Sequence, residues 1–178
     1  MISKNKNLSF LAIDFETANY YRNSACAVGL VKVKNYEIIK KKFFLIKPPQ
    51  REFYFTYIHG ITWKDVMNEP TFDELWPRIR PFFTDIDFVV AHNASFDRSV
   101  LRKCCEYYDI EYPDIDFLCT VQLSRKLWNI YPTDLPTVCN YFKIPLKHHD
   151  ALSDTEACAQ IMLRILREKK FLYELTQN

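Results

Sequence analysis

Three apolar runs of strand length follow one another at the front of this chain, and behind them the hydrophobic period changes. Residues 8–15, 25–33 and 38–46 read as strands, the last two joined by a turn at Lys34-Asn35, which predicts an opening antiparallel meander. From residue 71 to 83 the apolar positions Phe72, Leu75, Trp76, Ile79, Phe82 and Phe83 keep helical spacing, and residues 88–91 read as a short buried strand. Next come a helix over 96–108, a strand over 117–121 running into a helix near Leu127, and a helix over 135–142. A long final helix covers 153–168, with Ser153 and Glu156 at capping-box spacing. A meander followed by strand–helix–strand crossovers predicts an α/β fold: a mixed β-sheet, three meander strands plus parallel ones, flanked by helices.

A length of 178 residues suits one compact domain, 1–178, with its core over about residues 8–168. Nothing in the composition marks a linker or a repeat array. No apolar run approaches the ~18 residues a membrane span needs, and residues 1–7 lack a signal-peptide pattern, so no membrane partner is expected. Six cysteines without CxxC spacing argue against zinc and against a secreted disulfide framework, leaving a reduced cytoplasmic protein as the expectation. The formal net charge of +2 does not announce a nucleic-acid partner, so any such partner must be argued from a site. The basic runs at Lys40-Lys41-Lys42, at Lys143 with Lys147, and over 164–170 read as solvated faces.

Carboxylates on inward faces are more informative. In the first strand Leu11, Ile13 and Phe15 share one face, while Phe10, Ala12, Asp14 and Glu16 share the other, so two acids extend an apolar row. Their α-carbons are expected roughly 6.6 Å apart, close enough for both side chains to converge on one cation. On the helix over 96–108 Asp97 lies on the stripe of Val100, Leu101, Cys104 and Tyr108. On the last helix Asp154 lies on the stripe of Ala157, Cys158, Ile161, Met162, Ile165 and Leu166. Each alone could be a wet strand end or an acid favoured by a helix N-terminus. Together they form four inward carboxylates with no lysine or arginine on the same stripes, a charge that needs a compensating cation. All-oxygen ligands select hard ions, Mg²⁺ or Mn²⁺, and two of them can hold the attacking and leaving oxygens of a phosphodiester. His149, five residues before Asp154, is the candidate general base beside them.

Three segments then match a pattern. Asp14-Phe15-Glu16-Thr17, His92-Asn93-Ala94-Ser95-Phe96-Asp97 and His149-Asp150-Ala151-Leu152-Ser153-Asp154 resemble, in order, the motifs of the DEDDh (DnaQ-like) 3′-5′ exonucleases, most closely the proofreading epsilon type of bacterial DNA polymerase III. The resemblance runs from about Leu8 to Leu166 and implies a ribonuclease H-like fold. It implies that Asp14, Glu16, Asp97 and Asp154 hold two divalent cations and that His149, by its H-x-x-x-x-D spacing, is the base. His148 would be one residue out of step, a solvated loop residue. Ile58-His59-Gly60-Ile61-Thr62 looks like the family's HGIT loop, so His59 and Ile61, with Thr17, Ala18, Asn93 and Phe96, are the implied contacts to the terminal nucleotide.

The implied substrate is a single-stranded 3′ end of DNA or RNA, DNA being preferred, and the implied partner a DNA polymerase. Tyr20, Tyr21, Phe53, Tyr54, Phe55 and Tyr57 cluster beside these motifs, as core or as base-stacking residues. An exoribonuclease is the alternative, and a catalytically silent nucleic-acid-binding module of the same fold is the second. The silent module should have lost a catalytic residue, and all five are present. A phosphatase using Asp14 as nucleophile would favour Asp where Glu16 stands.

Overall fold

The computed structural model describes residues 8–175, with side chains as far as Glu168. Strands β1 (Ser9–Thr17), β2 (Ala25–Lys34) and β3 (Glu37–Leu45) form the meander. Two one-turn helices, α1 (Thr56–His59) and α2 (Trp63–Val66), and α3 (Phe72–Ile79) lead to β4 (Phe88–Ala91). Then follow α4 (Ala94–Tyr107), β5 (Phe117–Cys119), α5 (Thr120–Trp128), α6 (Leu135–Phe142) and α7 (Ala151–Leu175). The sheet order is β3-β2-β1-β4-β5, antiparallel from β3 to β1 and parallel from β1 to β5. The mixed, ribonuclease H-like sheet read from the sequence is therefore what forms.

Both faces are covered, and the alternation along β1 decides which residue goes where. Leu11, Ile13 and Phe15 pack with Phe72, Leu75, Ile79, Val100 and Leu101 of α3 and α4. Phe10 and Ala12 pack with Val138 of α6 and with Ala157, Ile161 and Ile165 of α7. Among the described residues no helix is long and apolar enough to cross a membrane.

Several boundaries move. The helix expected over 71–83 divides into α3 and a 3-10 turn, Arg80–Phe83, because Pro81 brings no N–H to continue the α-ladder. The helices α1 and α2 were unforeseen, although Thr62 and Asp65 form a capping box at the spacing that announces one. Thr120 and Val121 belong to α5, not to the strand. The box expected at Ser153 and Glu156 does not form. The helix starts two residues earlier, at Ala151; Asp150 Oδ1 accepts the Ser153 N–H at 3.1 Å, and Glu156 pairs with Lys41 at 2.9 Å. Of the basic runs, Lys41 and Lys147 are thus paired, Lys147 with Asp150, and Lys40 sits over the Phe82 ring. The run over 164–170 passes outside the described side chains after Glu168.

Candidate active site

Parallel pairing of β1 with β4 ends at Ala12, so the end of β1 projects beyond its neighbour. Phe15, past that point, donates its N–H to Asp97 Oδ1 at 2.9 Å, which fixes the first turn of α4 against β1. From the other side α7 comes down on β2 at Gly29, the residue opposite Asp14 in the β1–β2 register. A Cβ at Gly29 would collide with the Ala151 carbonyl oxygen and Thr155 Oγ1, so this glycine is what lets Asp154 approach Asp14. A bulge between Glu16 and Thr17 then ends the regular ladder.

These contacts gather the acids. Asp14, Glu16 and Asp154 each bring one oxygen within 4.8 Å of the other two. Asp97 lies outside that trio by distance but joins it by charge, since among the acids its charge acts most strongly on Asp14. Desolvation, then the like charges of Asp97, Glu16 and Asp154, pushes the Asp14 carboxyl well above the usual carboxylate range. Glu16 is raised to about 8 by burial and by Asp154 and Asp97. Burial raises Asp97 to about 7 against the pull of the Phe15 N–H and, more weakly, of Arg22. Asp154 is raised as well, by burial, and its buried Oδ1 has no partner among the described residues. Acids packed around an unpartnered acceptor, with Arg22 and His148 among the cationic groups that act on them, fit a hard cation.

The third segment is arranged differently from its spacing. His149 sits at φ +66° and meets Asp154 through its backbone, the N–H donating to Oδ2 at 3.0 Å. His148, expected to be solvated, has Nδ1 3.2 Å from the same Oδ2, and the two imidazole rings stack 3.8 Å apart. The His149 ring is exposed and makes no hydrogen bond among the described residues, while burial and the neighbouring His148 hold its pKa below the usual histidine value. Both histidines, with Lys147, Asp150 and Ala151, line a cleft of about 490 Å³ whose facing walls include Glu16, Phe43 and residues 56–61.

Of the implied nucleotide contacts, His59 and Ile61 line this cleft. The Ile61 N–H donates to His59 Nδ1 at 3.0 Å, so the ring proton is on Nε2, which points at the Thr17 carbonyl at 3.2 Å. His59 thereby ties the loop to the end of β1 with both ring nitrogens. Thr17 and Ala18 are buried. Asn93 is exposed at φ +84°, starting α4, and Phe96 is half-buried beneath the Arg22 guanidinium at 4.5 Å. Arg22 and Gly29 escaped sequence reasoning; Gly29, one of only two glycines and inside an apolar strand, was the available signal.

The family model described as "Exonuclease" matches residues 11–162. The chain belongs to the exonuclease family. DNA polymerase III of the PolC type from Thermotoga petrophila is 32% identical over 93% of this chain, and that of Bacillus subtilis 34% identical over 96%. The chain spans 12% of the length of either relative. Among solved structures, Exonuclease X in complex with 5′ overhanging duplex DNA superimposes with a TM-score of 0.73 at 23% identity, over 89% of this chain and 92% of that one. The nuclease domain of 3′hExo, a DEDDh family member bound to rAMP, gives 0.79 at 15% identity, over 93% and 95%. The resemblance to DnaQ-like 3′-5′ exonucleases carried by the three segments therefore stands, with the fold it implied.

Proposed function

We propose that one exonuclease domain, about residues 8–168, removes nucleoside monophosphates one at a time from the 3′ end of single-stranded or frayed DNA, as in proofreading beside a DNA polymerase. The observation that carries it is the trio of Asp14, Glu16 and Asp154 within 4.8 Å, with the buried Asp154 Oδ1 unpartnered. Asp14, Glu16, Asp97 and Asp154 would hold two divalent cations, Mg²⁺ or Mn²⁺. When bound, these supply Lewis-acid stabilisation of the charge that develops on the phosphodiester. The chain's own groups do the rest. Asp97 anchors the end of β1 through the Phe15 N–H, His59 holds the loop that faces the terminal nucleotide, and the free His149 ring accepts the proton of the attacking water as the bond to the 3′ oxygen of the preceding nucleotide breaks. A lowered pKa keeps that ring neutral, hence able to accept, at pH 7.

DNA as substrate is supported by the naming of the 32–34% identical relatives as DNA polymerases. A cytoplasmic setting suits six free cysteines. The test is a 5′-labelled strand of DNA and one of RNA, each with Mg²⁺, Mn²⁺ or EDTA. A ladder shortening from the 3′ end in Mg²⁺ and Mn²⁺, absent in EDTA and blocked by a 3′-phosphate, is expected on DNA. Immediate release of the labelled 5′ nucleotide, or undiminished cleavage after metal stripping, overturns the reading. Preference for RNA overturns the substrate.

A further inference from the structure

Large aromatic rings are normally driven into the core, yet beside this cleft several stay in solvent. Tyr20 is 77% exposed, Tyr54 55% and Tyr57 83%. The segments that carry them are pinned by the backbone. The Ala18 carbonyl accepts the N–H groups of Tyr54 at 2.7 Å and Phe55 at 3.2 Å, and Asn19 Nδ2 donates to the Glu52 carbonyl at 2.9 Å. Tyr20 then meets Phe55 edge-on at 4.9 Å and Tyr54 at 5.9 Å. The result is a shelf tied down through its backbone, with its tyrosine rings exposed and Phe55 half-buried. It is continuous with the cleft, for Tyr57 lines the cleft together with Glu16 and His149. Two guanidinium groups belong to the same segments of chain, Arg22 two residues after Tyr20 and stacked over Phe96 at 4.5 Å, and Arg51 three residues before Tyr54 and over Trp63 at 5.4 Å.

We propose that this shelf of Tyr20, Tyr54, Phe55 and Tyr57 binds the bases upstream of the 3′-terminal nucleotide by stacking, with Arg22 and Arg51 attending the backbone phosphates. Free π-faces accept any base, and a peptide partner would not call for guanidinium groups beside a carboxylate cluster that takes phosphodiesters. The proposal rests on the exonuclease reading above. It makes the enzyme a reader of several unpaired nucleotides, so a paired end must fray by more than one base before it is cut.

The experiment compares KM for an eight-nucleotide thymidine strand with KM for the same strand made abasic at the second to fourth positions from its 3′ end. Wild type should lose about 5- to 150-fold in KM for each base that stacks. The double variant Tyr20→Ala/Tyr54→Ala should show nearly one KM for both strands, and Tyr20→Phe/Tyr54→Phe should behave as wild type. Wild-type hydrolysis of the p-nitrophenyl ester of thymidine 5′-monophosphate, which has no upstream base, reads the carboxylate site separately. If the ester is cleaved but wild type does not distinguish the two strands, the shelf is refuted while the exonuclease reading stands. If neither ester nor strand is cleaved, both fall. An alanine variant as sensitive to the abasic sites as wild type would mean the shelf serves another partner, which also refutes the proposal.

Discussion

Two polar neighbourhoods meet at the end of β4, five residues apart in sequence, and they obey opposite rules. Around His92 the ring nitrogens and the groups they meet are all partnered. Thr133 offers only its carbonyl, 3.0 Å from Nε2, so Nε2 carries the proton and Nδ1 accepts from Thr120 Oγ1 at 2.8 Å. Thr133 Oγ1 in turn donates to the Ile130 carbonyl at 2.7 Å and accepts from Arg125 Nε at 3.1 Å. Around Asp97 the reverse holds, with four acids crowded together and one buried oxygen unpartnered. A satisfied network is finished structure, whereas an unsatisfied one of a single charge sign is a receptor.

The largest effect belongs to the acids. Asp14→Asn should cut turnover by roughly 10³-fold or more, the several kcal/mol of charge stabilisation at stake. The same substitution should raise the Tm of the metal-free protein, because it relieves like-charge crowding. A variant that is both active and less stable than wild type would put Asp14 among ordinary structural residues.

Next come the stacked histidines. His149→Ala should lower kcat by roughly 10²- to 10⁴-fold with KM little changed, as expected for a positioned base. His148→Ala should act through Asp154, because its Nδ1 lies 3.2 Å from that carboxylate, and so should raise the Mn²⁺ concentration needed for half-maximal rate. If His148→Ala loses kcat at saturating metal and His149→Ala does not, the roles are exchanged.

How much of this could be read beforehand depends on the range of the forces involved. The facing of Asp14 and Glu16, and of Asp97 and Asp154, followed from periods of 2 and 3.6 residues, which are local. The mixed character of the sheet followed from a meander and later strand–helix–strand crossovers, which are read from the chain order of the elements. The approach of α7 to β2 was not readable, because it joins Gly29 to Ala151 and Thr155 across more than a hundred residues. Nor was the partnership of His148 with Asp154, which sits beside a residue, His149, at positive φ, a backbone conformation that residue spacing does not announce. The Ser153–Glu156 box failed because distant Lys41 took Glu156 and nearby Asp150 took the Ser153 N–H.

Third in size is the stability of the metal-free protein. Glu16 is raised to about 8 and Asp97 to about 7, so between roughly pH 4 and pH 8 the folded state holds protons that the unfolded state has released. Stability contributed by these raised carboxyls is present at low pH and lost as pH rises, so Tm in EDTA should be lower at pH 8 than at pH 5.5. Mn²⁺ at about 100 times its Kd at pH 8 should add ~2.7 kcal/mol there, about 5–11 °C in Tm for a chain of this size, and the same concentration should add less at pH 5.5. A Tm in EDTA that climbs from pH 5.5 to 8, with no gain from Mn²⁺, would mean the acids are not a cation receptor.

The last effect, confined to a single side chain, isolates the finished neighbourhood and has the opposite sign. Burial lowers the His92 pKa to about 4 from an ordinary 6.5, so below pH 6.5 the unfolded chain takes up a proton that the folded chain refuses. The stability that depends on neutral His92 is therefore intact above pH 6.5 and drains away toward pH 4, by about 3 kcal/mol in all. The carboxyl cluster gains stability over the same interval, so the wild-type curve alone would hide the loss. His92→Gln separates the two, since glutamine can still donate to the Thr133 carbonyl and accept from Thr120 Oγ1 but does not titrate. Urea unfolding of both proteins in EDTA should give a stability difference that favours wild type at pH 7 and shrinks or reverses by pH 4. A difference that stays constant across this range would mean His92 titrates normally in the folded protein and that the brace is open to water. The contrast between a closed network and an open receptor at the end of β4 would then be lost.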